Sequence, residues 1–277
     1  MTQRLTVTDS DGAQRQIVTA HFRAAHKLGG PCIVFAGEAL SDNVNAPPNS
    51  TAEQLRHYAA RQNIDFMTYN SVGHGSGSTK SDLSLKDWTP DRARADLQTV
   101  LEVAGAERPV LLVTSGLGAA FAPFAISHHN SKRTTNPVLD ALMFNPVPAD
   151  ALIDLAARQG VPADKLPAHF NQHGLINIVS PTLPAAFPLG REAYDQLPNY
   201  ALNNPAREKF QRFHASIVHG GADPVSLPYR DLYLGKMTFA SKTVIPDRGR
   251  ALGESVVVAA TAFTVHHMES RHRQQLA

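Results

Sequence analysis

Apolar residues are distributed along this chain in two alternating patterns. Pro31–Ala36, Ile64–Tyr69, Pro109–Thr114 and Val138–Phe144 are short, largely unbroken apolar runs of strand length, as expected of strands buried on both faces. Between them the period lengthens. Thr51–Gln62 sets Leu55, Tyr58 and Ala59 on one side of a predicted helix, and Asp91–Ala104 follows Thr89-Pro90, a cap residue and a first-turn proline. At the start, Leu5–Val7 and Gln16–Phe22 alternate about Asp11-Gly12 and predict an antiparallel hairpin. At the end, Ala215–His219 and Thr238–Ile245 predict the last strands and Leu252–Met268 a closing helix.

From Val147 to Arg212 the pattern changes to short helical pieces broken by prolines, including Pro162, Pro167, Pro181 and Pro188, with Phe170, Phe187, Tyr194 and Tyr200 among them. This predicts a helical cap insertion over residues 147–212, lying above the sheet's carboxyl edge, with the core formed by 1–146 and 213–277. Strands alternating with helices over short loops imply an α/β fold, with a mostly parallel central sheet flanked by helices.

The composition narrows the function classes. The chain has 277 residues, 43% hydrophobic and 18% charged, enough for a full α/β core without cross-links. No apolar run reaches the length of a membrane span, and the basic-then-apolar order of a signal peptide is missing, so a cytoplasmic protein is expected. The net charge is +2 with scattered lysines and arginines, which does not suit nucleic-acid binding. Cys32 is the single cysteine; it begins an apolar run and reads as a buried structural thiol.

The run Pro109–Thr114 passes directly into small residues, Ser115-Gly116-Leu117-Gly118, and then into a helical stretch at Ala119–Ser127. Such a strand-to-helix elbow holds its central residue at positive φ. Laid on the pattern G-x-S-x-G, the chain reads Thr114-Ser115-Gly116-Leu117-Gly118, so Gly116 stands where a nucleophilic serine is required. Glycine tolerates that backbone freely. The turn can persist without its chemistry.

Other stretches support the same frame. Tyr69-Asn-Ser-Val-Gly-His-Gly-Ser-Gly77, Asp87-Trp88, Asp96-Leu97, Phe144-Asn-Pro-Val-Pro148 and His219-Gly-Gly-Ala-Asp-Pro-Val225 resemble the corresponding segments of the α/β-hydrolase family, in particular its small acyl-thioesterase/esterase-like branch. The resemblance runs from about Phe35 to Leu252 and implies the α/β-hydrolase fold. It makes Asp223 the triad acid and puts Arg250 where the family has its histidine. Arginine cannot serve as a base, so the resemblance implies a degenerate triad at Gly116, Asp223 and Arg250, with an Arg250–Asp223 ion pair in its place.

The candidate catalytic groups are therefore Glu38, His74, Asp223 and Arg250. Glu38 follows the strand that supplies half of the family's oxyanion hole, and His74 lies in a loop near the expected pocket mouth. The candidate ligand-binding residues are Gly37, Glu38, Ala39, Ser115, Gly116, Leu117 and Arg250, with the N–H groups of Leu117 and the Gly37–Leu40 loop converging on a carbonyl or carboxylate. Ser115 lies one residue early for a nucleophile, and His219 reads as a residue that holds the acid loop together. No metal site and no cofactor are expected. The expected partner is a small-molecule or peptide ligand, a homodimer stays open, and neither nucleic acid nor a membrane span is expected.

Three functions fit these residues. The first is a cofactor-free, non-hydrolytic tailoring enzyme, an epimerase, isomerase or cyclase that moves a proton next to a carbonyl of a peptide or polyketide intermediate. The second is a ligand-binding pseudoenzyme. The third is an ester or thioester hydrolase with a rerouted nucleophile.

Overall fold

The four apolar runs become the middle of one sheet. The computed structural model describes residues 1–25, 30–37, 42–106, 108–132, 137–158, 175–178, 187–206, 208–249 and 251–276. In chain order its elements are β1 (Thr2–Thr8), β2 (Gln14–Phe22), β3 (Cys32–Ala36), α1 (Thr51–Gln62), β4 (Asp65–Asn70), α2 (Pro90–Ala104), β5 (Val110–Ser115), α3 (Ala122–Lys132) and β6 (Val138–Phe144). Then come α4 (Ala149–Arg158), β7 (Leu175–Ile178), β8 (Phe187–Gly190), α5 (Arg191–Gln196), β9 (Phe210–Gly220), α6 (Arg230–Lys236), β10 (Met237–Ile245) and α7 (Glu254–Leu276).

Eight strands pair in the order β1-β2-β4-β3-β5-β6-β9-β10. The β1–β2 and β2–β4 pairs are antiparallel, and every pair from β4 to β10 is parallel. Period-two alternation divides the central strands between two cores. Ile33, Phe35, Leu111, Val113, Leu142 and Phe144 pack on the face covered by α1 and α7. Cys32, Val34, Val110, Leu112, Ala141 and Met143 pack on the other, against α2, α3 and α6. Cys32 is buried, and burial pushes its thiol up to about 12. No helix among the described residues is long and apolar enough to cross a membrane.

Three boundaries differ from expectation. The 147–212 segment is not wholly helical, because Leu175–Ile178 and Phe187–Gly190 pair as an antiparallel two-stranded sheet. Leu175-Ile-Asn-Ile178 is half β-branched, and a two-strand pairing tolerates the edge proline Pro188. β9 begins at Phe210, earlier than the apolar run, because Met237 of β10 pairs with it there. The closing helix runs on to Leu276, its polar last turns being rich in good helix formers.

A third apolar cluster sits above the sheet's carboxyl edge. Val147, Ala151, Leu152, Ala193, Leu197 and Tyr200 meet Val72, Trp88, Leu117 and Phe121 there. Aromatic edges lock this layer, with Phe121–Tyr200 at 5.2 Å and Phe124–Tyr200 at 4.8 Å between ring centres. The Tyr200 hydroxyl donates to Asp91 and accepts from Arg94 Nε at 2.9 Å.

Candidate active site

Strand β5 leaves the sheet at Ser115, and the next residue, Gly116, has φ +52°. An L-residue with a side chain pays about 1–2 kcal/mol for that left-handed conformation. The chain then makes a short 3-10 turn, Gly116–Ala119, leading into α3. A Cβ on Gly118 would lie 2.2 Å from the Ala36 carbonyl oxygen and 2.5 Å from that of Gly37, so the turn is pressed onto the end of β3. The Gly116 carbonyl accepts from Val147 N–H at 2.9 Å, which ties the upper layer to the elbow.

Beside this turn is a cavity of about 40 Å³, space for a few water-sized groups or the reacting end of a larger ligand. One side is apolar, from Trp88, Leu97, Leu117 and Phe121; the other presents Asn43, Ser71 and His74. His74 is buried, and its Nδ1 stands 2.7 Å from the Val72 carbonyl oxygen. A carbonyl only accepts, so Nδ1 carries the proton and Nε2 is a lone pair. Nε2 is itself buried without a hydrogen-bond partner among the described residues. Burial lowers the pKa of His74 below its ordinary value, so the ring is held neutral.

Ser71 is held from behind. Its hydroxyl donates to Asp96 Oδ2 at 2.5 Å, and the same oxygen accepts from Val72 N–H at 3.0 Å. The other Asp96 oxygen lies 2.5 Å from an Arg15 guanidinium nitrogen. Arg15 also grips Asp9 at 2.9 Å, so β2 and α2 are joined under the cavity by charge. Complete burial nonetheless raises the Asp96 carboxyl to about 6.

A second histidine system lies at the end of β9. His219 is fully buried, and its Nδ1 is 3.2 Å from Ser226 Oγ. Ser226 in turn donates to Asp223 Oδ2 at 2.7 Å. Asp223 is buried and its other oxygen accepts from Val225 N–H at 3.1 Å. Burial lowers the pKa of His219 to about 4. Its Nε2 is also without a partner among the described residues, yet His219 is not on the cavity wall. Asn145 braces this end of the sheet: its side-chain oxygen accepts from Gly220 N–H at 2.7 Å, and its amide donates to the Gly249 carbonyl at 3.3 Å.

Among the residues singled out from sequence, Gly37, His74 and Leu117 line the cavity. Ser115 is a half-buried strand residue outside that lining. Glu38, Ala39 and Arg250 lie outside the described residues, and so does the Arg250–Asp223 pair; the described partners of the Asp223 carboxylate are Ser226 and Val225. Sequence reasoning assigned no role to Ser71, Asp96 or Ser226. Asp96 had a usable signal, since it falls on the buried stripe Ala93, Asp96, Leu97, Val100, Leu101 of α2, where a lone carboxylate needs a buried cation.

No protein-family model matches the chain, and no curated protein matches it in sequence. Solved structures do match. An Agrobacterium vitis S4 protein that carries a provisional hydrolase name superposes with a TM-score of 0.78 at 18% identity, covering 97% of this chain and 98% of that one. Est1E from Butyrivibrio proteoclasticus, solved with ferulic acid bound, gives 0.67 at 12% identity over 96% of this chain and 100% of that one. The esterase domain of a Rhodothermus marinus protein gives 0.56 at 13% identity, covering 99% and 98%. With its strand order, its antiparallel leading hairpin and its glycine elbow after β5, the chain has the α/β-hydrolase fold.

Proposed function

We propose that this protein is a non-hydrolytic proton-transfer enzyme, of the epimerase, isomerase or cyclase class, acting next to a carbonyl of a peptide or polyketide intermediate. The observation that supports this reading is His74: a neutral imidazole with Nδ1 committed to a backbone carbonyl and a buried Nε2 without a partner among the described residues, on the wall of a cavity that also touches the elbow. A general base needs that state, a lone pair within reach of the reacting carbon and a pKa at or below working pH. The elbow residue, Gly116, has no hydroxyl to form an acyl-enzyme. The substrate carbonyl would lie against the amino end of the elbow helix, where backbone N–H groups lack intrahelical acceptors, and the resulting enolate would be reprotonated in place. The small cavity admits the reacting end, and the rest of the ligand would lie under the upper layer.

A second reading is supported by Ser71, a hydroxyl on the same wall held by Asp96: hydrolysis of an ester or thioester through a rerouted nucleophile. One experiment separates the two. The protein is incubated in D2O with N-acetylaminoacyl and β-ketoacyl thioesters and followed by mass spectrometry, alongside labelling with a fluorophosphonate. Gain of one mass unit without thiol release, lost in His74→Gln and with no label on the protein, is expected. Thiol release with stoichiometric labelling of Ser71 would replace the proposal with the hydrolase. Saturable binding without exchange or cleavage would leave a pseudoenzyme.

A further inference from the structure

The sheet has two edges, and they are finished differently. β1 carries Gln3 and Arg4, and Arg4 reaches across to Asp82 at 3.2 Å; charged side chains of this kind are how natural edges resist further pairing. β10 also carries a single charge, and what sets it apart is the apolar surface that it leaves exposed. All its residues from Thr238 to Val244 are exposed, it contains no proline, and its one charge, Lys242, is bonded to Asp231 at 3.0 Å. Phe239 and Val244 on this strand are 49% and 38% exposed.

The neighbouring helix repeats the anomaly. α7 buries Val257, Val265 and Met268 in the core, which would suffice for a surface helix. Val256 and Ala260 pack in part against the same core, while Ala259 and Phe263 are exposed; together these four, at i, i+3, i+4 and i+7, form the wall of a groove of about 380 Å³ whose floor includes Ser241 and Thr243 of β10. Phe263 is 71% exposed. A large aromatic side chain left in solvent at the rim of an apolar groove marks surface available to a partner.

We propose that the β10 edge and the outer stripe of α7 form the interface of a two-fold dimer of this chain. The occupant has to supply an open strand edge, an apolar helical face and no net charge, and this surface itself supplies all three. A two-fold axis perpendicular to the sheet sets β10 antiparallel to its copy, completing both edges, and brings α7 alongside its copy on the same face, stripe against stripe. Charge favours self-pairing over an acidic or basic partner. Ser255–Val265 contains no charged residue, Lys242 is neutralised within its own chain, and the chain carries only +2 overall, so two copies meet without repulsion.

The test is the solution mass of the full-length protein by sedimentation up to about 100 μM, where mass action favours association, with Phe263→Glu and Phe239→Lys measured beside it. Wild type is expected at twice the 29.9 kDa chain mass, and each variant at the chain mass with an unchanged circular-dichroism spectrum. Both side chains are exposed, so loss of the dimer will not be loss of the fold. A monomeric wild type, or a dimer that survives both substitutions, overturns the proposal. So does a monomer that binds phosphatidylcholine vesicles through Phe263, which would assign the face to lipid.

Discussion

The loop after β4 and the last turn of strand β9 each hold a buried histidine with Nδ1 bonded and with no partner for Nε2 among the described residues, and their surroundings differ. His219 has the more elaborate support, a serine that links it to a buried carboxylate, yet it is off the cavity wall and its pKa is driven down to about 4. His74 has backbone behind it, the Val72 carbonyl at 2.7 Å, and it lines the cavity beside the elbow. A carboxylate relay orients an imidazole; access to a reacting atom is what makes it a base. The carboxylate-linked histidine is thus away from the cavity, and the histidine on the cavity wall is held by backbone.

The largest expected effect is at His74. His74→Gln removes the base, and a loss of about 10²–10⁴-fold in deuterium exchange is expected, the usual share of general-base catalysis. Because burial holds His74 below 6.5, the acid limb of the wild-type rate profile falls below pH 6.5. Loss of exchange in His219→Gln instead would invert the comparison.

Next is Ser226→Ala. It strands both the His219 Nδ1–H and a buried Asp223 oxygen, costing about 1–3 kcal/mol for each group; chemical denaturation should show the loss while exchange per folded molecule is unchanged. Gly116→Ser places a hydroxyl at the elbow for about 1–2 kcal/mol of backbone strain. No hydrolysis of p-nitrophenyl acetate above background is expected, since His219 is not on the wall of the cavity beside the elbow. Hydrolysis would show that His219 reaches the elbow after all.

The last effect is confined to acid pH and vanishes at neutrality. With a folded pKa near 4 against an ordinary 6.5, the unfolded chain takes up a proton at His219 that the folded chain refuses, so stability falls as pH is lowered from 6.5 towards 4. His219→Gln should make that fall shallower in thermal melts across the interval.

The frame was legible in the sequence because local pattern and tertiary role coincide there. Continuous apolar runs became the parallel strands, and the glycine elbow appeared at Gly116 with the backbone that its position demanded. The hairpin of β7 and β8 was hidden by prolines that read as breaks between helices. The site was legible in part: His74 was a candidate, but the cavity that it lines is completed by Trp88 and Phe121 from elsewhere in the chain. Asp96 reads as one acidic residue in a polar-looking helix until Arg15, far off in sequence, is brought against it. No local window contains such pairings.

Trp88 is the chain's single tryptophan; it is buried, lines the cavity, and sits 5.7 Å from the Phe121 ring on the elbow helix. All the indole emission of this protein therefore originates at the candidate site. A ligand that displaces water from the cavity changes the surroundings of that one fluorophore, so the molecule reports its own occupancy by colour and intensity, without a label and before any product is known.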